Sequence, residues 1–262
     1  MNVPAAVLLA AGRGSRLSPL THFWPKCLMP IQGRPLLDYW VRLLTESDVQ
    51  TVFVNTHTHA EIVSEYLSRP DFSGKVVEFH ESQLLGTAGT LRSLAPLLTH
   101  GPLIVAHADN LCDCDFNAFV ASHENRPQAC AVTMMSFKTP TPHTCGIITI
   151  NGDGIVTGLE EKPSMPESDL ANAAVYIFER EVIDFIVANP TLGDVSLDVL
   201  PHFLGRIQAW HNDQVLRDIG NSTQLVEAQR DRIRKLPLPT DLWQESFEES
   251  LEWREIRGFL GQ

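Results

Sequence analysis

Acidic residues are missing from the opening of this 262-residue chain: neither Asp nor Glu occurs before Asp38. The same window holds Arg13, Arg16, Lys26 and Arg34, so it is basic inside a chain of formal net charge −12. Without those four residues the remainder stands at −16. That balance excludes nucleic acid or an anionic membrane as the main partner, because both demand broad basic surface. A local basic loop on an acidic body suits a small anion, phosphate above all. Other absences narrow the class further. No apolar run approaches the length of a membrane span, and there is no internal repeat or low-complexity segment. Five cysteines, Cys27, Cys112, Cys114, Cys130 and Cys145, form an odd set with no CxxC pair and no histidine spacing of a zinc site. Reduced thiols in a cytoplasmic protein are the simpler reading. The apolar stretch 3–11 has no basic segment before it, and its arginines follow it, so it reads as a first strand and not as a secretion signal.

What is present is alternation. Hydrophobic residues make up 44% of the chain, enough for one large domain with a well-buried core, with or without a small appendage. The pattern predicts a strand over 5–11, then a helix over 35–48 with Leu36, Leu37, Trp40, Leu43 and Leu44 on one face. A strand at 51–55, a helix at 60–67 and a strand at 75–80 follow. A turn at Gly86 leads to a helix over 87–98 and a strand at 102–106. Such alternation predicts βα units and a parallel sheet covered on both faces. After a helix at 117–124, strands dominate at 129–137, 146–150, 155–159 and 173–178. Asn151-Gly152-Asp153-Gly154 is a hairpin turn, so antiparallel strands are added to the sheet. A helix at 180–188, a Leu-rich turn or helix at 197–204, two short strands flanking Asn212-Asp213 and a last core helix over 222–235 complete the domain. Pro237-Leu238-Pro239 then breaks the chain before an acidic amphipathic helix at 241–260, with Leu242, Phe247, Leu251 and Phe259 as contacts. Capping the domain is the simpler role for this tail, and packing in a homodimer is the other.

Gly12-Arg13-Gly14-Ser15-Arg16-Leu17 imitates part of a dinucleotide fingerprint. Leu17 stands where the third glycine belongs, however, and no acidic residue follows at the ribose-binding distance. The GK[ST] ending of a P-loop is missing too. The loop does offer amides bared by glycine and arginines that can pair with phosphate oxygens; the plainer alternative is a strand-to-helix turn with solvated arginines. Pro19, Pro25, Pro30 and Pro35 stiffen the chain around Lys26, which makes that lysine a positioned one.

The run GRGSRLSPLTHFWPKCLMPI at 12–31 resembles the GxGxRLxPLTxxxPKxLxPI signature of sugar-1-phosphate nucleotidyltransferases. The likeness continues through Gly86-Thr87-Ala88-Gly89, Asp109-Asn110, Glu161-Lys162-Pro163, residues 172–178 and Asp218-Ile219-Gly220, in the expected order, over about residues 3–235. Guanylyltransferases acting on mannose 1-phosphate or heptose 1-phosphate are the most similar subgroup. In such chemistry a sugar 1-phosphate oxygen attacks the α-phosphorus of a nucleoside triphosphate and pyrophosphate leaves. No protein nucleophile is needed, so positioning and charge neutralisation supply the rate.

The resemblance implies Arg16 and Lys26 as the catalytic pair. It implies nucleotide contacts at Ala11, Gly12, Gly14, Ser15, Glu81, Gly86 and Thr87, with Glu81 as an acceptor for guanine. Sugar-phosphate contacts fall on Asn110, Gly146, Glu161, Lys162 and Asn172, and Mg²⁺ on Asp109 and Asp218, an oxygen-only pair. Asp113-Cys114-Asp115 imitates a glycosyltransferase DxD motif, but acidic residues there suit the N-terminus of the helix that follows. Ala11 and Ala174 stand where many relatives carry glycine.

The expectation is an α/β chain with a Rossmann-like three-layer fold and a mixed, mainly parallel sheet. Residues 1–235 form the nucleotidyltransferase domain and 236–262 an acidic helical tail. The expected partners are a nucleoside triphosphate, GTP in first place, and a mannose- or heptose-type sugar 1-phosphate, with Mg²⁺ as cofactor and neither nucleic acid nor membrane. The alternatives are a uridylyltransferase for a hexosamine- or muramic-type sugar 1-phosphate, a non-catalytic nucleotide-sugar-binding regulatory subunit, and a glycosyltransferase.

Overall fold

The computed structural model describes residues 5–47, 49–98, 101–235 and 240–261. The first half runs β1 (Ala5–Leu9), a small hairpin of β2 (Pro30–Ile31) and β3 (Arg34–Pro35), α1 (Leu36–Thr45), β4 (Thr51–Thr56), α2 (Ala60–Leu67), β5 (Val76–His80), α3 (Thr87–Leu94), β6 (Leu103–His107), β7 (Asn110–Cys112) and α4 (Phe116–Glu124). The second half adds β8 (Val132–Lys138), β9 (Gly146–Ile150), β10 (Val156–Glu161), β11 (Leu170–Phe178), α5 (Arg180–Ala188), β12 (Ile207–His211), β13 (Leu216–Asp218), α6 (Ser222–Ala228), α7 (Leu242–Glu249) and α8 (Leu251–Leu260).

Every residue of β1 is buried, and its neighbours explain why. Parallel partners β4 and β6 flank it. Ala6 and Leu8 join the core on one face of the sheet, while Ala5, Val7 and Leu9 join the core on the other. A strand buried on both faces reads in sequence as an unbroken apolar run. β5 extends the parallel set beyond β4. Beyond β6 the direction reverses: β11 pairs antiparallel with β6 and β8, and the β9–β10 hairpin joins through β9. β12 then returns parallel to β8. Among the described residues nine strands form one mixed sheet in the order β10-β9-β11-β6-β1-β4-β5, with β8 and β12 branching from β11. Helices on both faces make this a three-layer α/β fold.

Several elements differ from the sequence reading. The helix expected over 222–235 stops at Ala228. Beyond it Gln229 donates to the Pro30 carbonyl and accepts from the Gln32 amide, and Asp231 is held by Arg217, so these polar groups serve tertiary contacts and not another helical turn. The helix over 87–98 ends at Leu94 and tightens into a single turn at Ala95–Leu97, where Pro96 has no amide to donate. The tail is two helices, not one. Ser250 ends α7 in extended backbone and caps α8, its hydroxyl accepting from the Trp253 amide at 3.0 Å. The break resets the helical phase. Phe247 is buried as expected, but Leu242, Leu251 and Phe259 face solvent, and Trp253 and Ile256 are buried instead. The tail caps its own domain. Pro237-Leu238-Pro239 lies outside the described residues, as do Val3 and Pro4 of the first apolar run and Asp48 at the end of the first helix. No helix among the described residues is long and apolar enough to cross a membrane.

Candidate active site

β1 delivers the basic loop to the edge of the parallel sheet where ligands bind in open α/β folds. The amides of Ala10 and Ala11 both donate to Asn55 Oδ1, at 2.6 and 3.2 Å, from the end of neighbouring β4. The Ala11 amide is therefore engaged within the protein. Gly12 differs: no heavy atom lies within 4 Å of where its Cβ would be. Gly14 adopts φ 59°, and a Cβ there would stand 2.9 Å from Lys26 Cβ. A single turn at Ser15–Leu17 follows, leaving Ser15 and Arg16 exposed and Leu17 buried.

Lys26 begins another one-turn helix, Lys26–Leu28, and is only 6% exposed. Its Nζ donates to Asp109 Oδ2 at 2.7 Å and to Asp218 Oδ1 at 3.4 Å. The Arg16 guanidinium lies 3.5 Å from Asp218 Oδ2. The β7–β13 ladder sets Asp218 opposite Asn110, and so brings it beside Asp109 across the fold. Burial would raise the Asp109 carboxyl, but the Lys26 ammonium, then His107 and the hydrogen bonds, outweigh that and hold it below the ordinary carboxylate range. Two carboxylates converging on one cation form an oxygen-only donor set. This suits a hard divalent ion that completes its shell with water and substrate phosphate. Among the described residues no group of three or more His, Cys, Asp or Glu could hold a metal without such help.

A cleft of about 260 Å³ opens beside this cluster. Ala11, Gly12, Lys26, Glu81, Gly86, Thr87 and Asp109, all singled out in the sequence, line it together with Asn55, Leu84, Thr90 and His107, which were not. Asn55, Thr90 and His107 had a faint signal, each being a polar residue at the end of an apolar strand or one turn into a helix. Glu81 is 3% exposed and its carboxylate accepts from Asn55 Nδ2 at 2.9 Å, Thr90 Oγ1 at 2.5 Å and the Leu85 amide at 3.2 Å, so it braces the loop into α3. Gly86, at φ 73°, packs so closely that its Cβ would fall 2.4 Å from the Gly193 carbonyl oxygen. Thr87 Oγ1 accepts from the Val195 amide at 2.7 Å and donates to Asp194 at 3.3 Å. These contacts tie this edge of the cleft to the segment 193–198.

The residues expected to meet a sugar form a second group. A Cβ on Gly146 would lie 2.8 Å from Glu161 Oε2 and 3.8 Å from Asn172 Cβ. Lys162 Nζ pairs with Glu161 Oε1 at 3.3 Å from a backbone at φ 48°. Asn172 holds a bulge in β11: its Oδ1 accepts from the Ala174 amide at 2.9 Å, and its Nδ2 donates to the Tyr176 hydroxyl at 2.8 Å. Ala174 sits there at φ 56°, a conformation that favours glycine. The Asn110 carbonyl accepts from Trp40 Nε1 at 2.8 Å. One sequence impression changes and one holds. Arg34 does not add its charge to the loop, because it is buried against Asp38. Asp113-Cys114-Asp115 is a helix start, Asp115 accepting from the Ala118 amide at 2.9 Å.

Residues 5–235 match the model of the nucleotidyl transferase family. A provisionally named mannose-1-phosphate guanyltransferase of Sulfolobus acidocaldarius is 30% identical over 201 residues, 76% of this chain and 54% of that protein. The mannose-1-phosphate guanylyltransferase of Mycobacterium tuberculosis is 27% identical over 234 residues, 87% of this chain and 64% of that protein. The chain thus spans little more than half the length of these curated relatives. A Bacillus anthracis crystal structure, provisionally described as a glucose-1-phosphate thymidylyltransferase in complex with sucrose, superposes with a TM-score of 0.80 at 21% identity. The match covers 93% of this chain and 99% of that one and speaks to the fold.

Proposed function

This chain belongs to the nucleotidyl transferase family, and from that premise we propose that it transfers a nucleotidyl group from GTP to a mannose- or heptose-type sugar 1-phosphate. The observation that carries the reading is the buried Lys26 ammonium, 2.7 Å from Asp109 and 3.4 Å from Asp218 at the foot of a basic glycine loop. An oxygen of the sugar phosphate forms a bond to the α-phosphorus, the bond to the β-phosphate bridging oxygen breaks, and pyrophosphate leaves with that oxygen. Lys26 neutralises charge at the α-phosphate and Arg16, exposed at the rim, holds the departing pyrophosphate. Gly12 admits the triphosphate to the backbone. Glu161, Lys162, Asn172, Gly146 and Asn110 orient the sugar phosphate. Asp109 and Asp218 would hold a divalent cation, Mg²⁺ in first place, which when bound supplies charge neutralisation at the reacting phosphates. The preference for guanine and for a mannose-like sugar rests on the signature and on the names of the relatives above. Residues 1–235 carry this activity, and the reaction draws on cytoplasmic nucleotide.

The test is pyrophosphate release by the full chain with Mg²⁺, four nucleoside triphosphates and a panel of sugar 1-phosphates. The expected result is fastest turnover for GTP with mannose 1-phosphate or a heptose 1-phosphate. Asp218→Ala is expected to abolish release while leaving the melting temperature near the wild-type value. Preference for UTP with a hexosamine 1-phosphate would establish the uridylyltransferase instead. Nucleotide binding without pyrophosphate release from any pair would mark a regulatory subunit, and consumption of an NDP-sugar a glycosyltransferase.

A further inference from the structure

We infer that the C-terminal tail is a positioning element for Lys26, acting through the ring of Trp24. The inference rests on the catalytic reading of Lys26 above, but the contacts that carry it lie outside the cleft. Lys26 sits on a one-turn helix without a sheet or a long helix to fix its backbone, so packing around that turn sets where its ammonium points. Trp24 supplies that packing. Its ring is 6% exposed, and its Nε1 donates to the Leu28 carbonyl at 2.9 Å, spanning the turn end to end.

The tail closes on this ring. Phe247 of α7 stacks on Trp24 with centroids 4.6 Å apart and planes 18° apart, and Trp243 lies at 6.5 Å. α7 is itself pinned. Trp243 meets Tyr66 edge-on at 4.9 Å. Asp241 caps α7 by accepting from the Gln244 amide at 3.0 Å and pairs with the buried Arg69 guanidinium at 2.5 Å. Arg69 in turn lies over Tyr66, Phe72 and Trp243, 5.1, 5.3 and 5.4 Å from their centroids. Gln244 Nε2 donates to the Gly33 carbonyl at 3.2 Å, catching the hairpin that follows the Lys26 turn. The tail side of every one of these contacts lies beyond residue 235, where the family match ends. The lysine belongs to the shared signature, whereas this support for it does not. Because a displacement of about 1 Å in a charge-neutralising group can cost on the order of a hundredfold in rate, the Phe247 ring controls turnover without touching substrate.

The test compares Phe247→Ala, Phe247→Leu and Ile256→Ala in the full chain, well below the melting temperature of each. Ile256 is buried in α8, so its truncation loosens the tail while leaving the α7 rings on Trp24. The expected result is a kcat about 10- to 100-fold lower for Phe247→Ala with the nucleotide KM within about threefold of wild type, the split of an interaction that matters in the transition state. Phe247→Leu recovers most of the rate, and Ile256→Ala stays within about twofold. Unchanged kcat in Phe247→Ala, or equal losses in Phe247→Ala and Ile256→Ala that track stability, overturns the inference. A second readout needs no turnover: acylation of Lys26 by an N-hydroxysuccinimide ester, followed by peptide mass spectrometry. It is expected to be faster in Phe247→Ala than in wild type or Ile256→Ala, and equal rates in all three overturn the inference. Failure of the transferase reading looks different, as a wild type silent with every substrate pair while the acylation contrast stands.

Discussion

Gly12 and Gly14 stand two residues apart in one loop and serve different ends. Gly14 is needed by the fold, because it adopts φ 59° and abuts Lys26 Cβ. Gly14→Ala is expected to cost about 1–3 kcal/mol of stability, the usual range for forcing a side chain onto such backbone, and to displace Lys26. Gly12 has open space where its Cβ would go. Gly12→Ala is expected to keep the wild-type melting temperature and to weaken nucleotide binding about tenfold, since only the ligand meets the added methyl. Thermal melts beside nucleotide titrations of the two variants check both halves. In the sequence the two glycines read alike, as one phosphate cradle, because φ and the surroundings of a missing Cβ are set by distant parts of the chain. Arg34 teaches the same lesson. Its spacing from Asp38 was visible, but burial, which turns an i,i+4 pair into a spent charge, was not. Glu81 likewise showed its charge in the sequence and hid the Asn55 and Thr90 groups that occupy it.

Among elements, α1 carries the most consequential side chain outside the site. Asp38 is fully buried and receives Arg34, Arg42 at 2.9 Å, the Tyr66 hydroxyl at 2.9 Å and Arg69 at 3.6 Å. Burial also pulls the Arg34 guanidinium below its usual range. Asp38→Ala leaves buried guanidinium groups without their shared anion, and a loss of about 3–5 kcal/mol is expected in urea unfolding. Because Arg69 also holds Asp241, protease cleavage within the tail should quicken in the same variant. Elements whose limits follow hydrophobic period, such as α2, β9 and α5, were legible to the residue. So was the hairpin at 151–154, where the Asn151 side chain accepts from the Asp153 and Ile155 amides at 3.0 Å. The ends of α6 and α7 were not: the Gln229 contacts depend on partners far along the chain, and the Ser250 cap, though local, is a hydroxyl-to-amide bond that hydrophobic periodicity does not show.

For the molecule as a whole, stability carries a pH dependence centred far from the candidate site. His123 of α4 is fully buried, with Nδ1 2.8 Å from Thr133 Oγ1 and Nε2 3.2 Å from Glu179 Oε1. Burial, aided by the nearby Arg126 charge, lowers its pKa to about 3. An unfolded histidine titrates near about 6.5, so protons favour the unfolded chain. The stabilisation is complete above that value and is lost as pH falls from it toward 3, at up to about 1.4 kcal/mol per pH unit. Urea midpoints at pH 7, 6 and 5 are expected to fall more steeply for wild type than for His123→Gln. Glu179 follows Phe178, which pairs with Leu103 at the start of β6, so this group sits at the sheet edge opposite Asp109. The β7–β13 ladder has a different reach. It joins Asp109 to a partner carboxylate more than a hundred residues later through three paired positions. A chain emerging from the ribosome N-terminus first possesses the basic loop, Lys26 and Asp109 long before Asp218 exists. Between the synthesis of Asp109 and that of Asp218 the polypeptide holds only one of the two carboxylates proposed for the cation, and a translation product cut short before β13 is expected to release no pyrophosphate however well its parallel strands have formed.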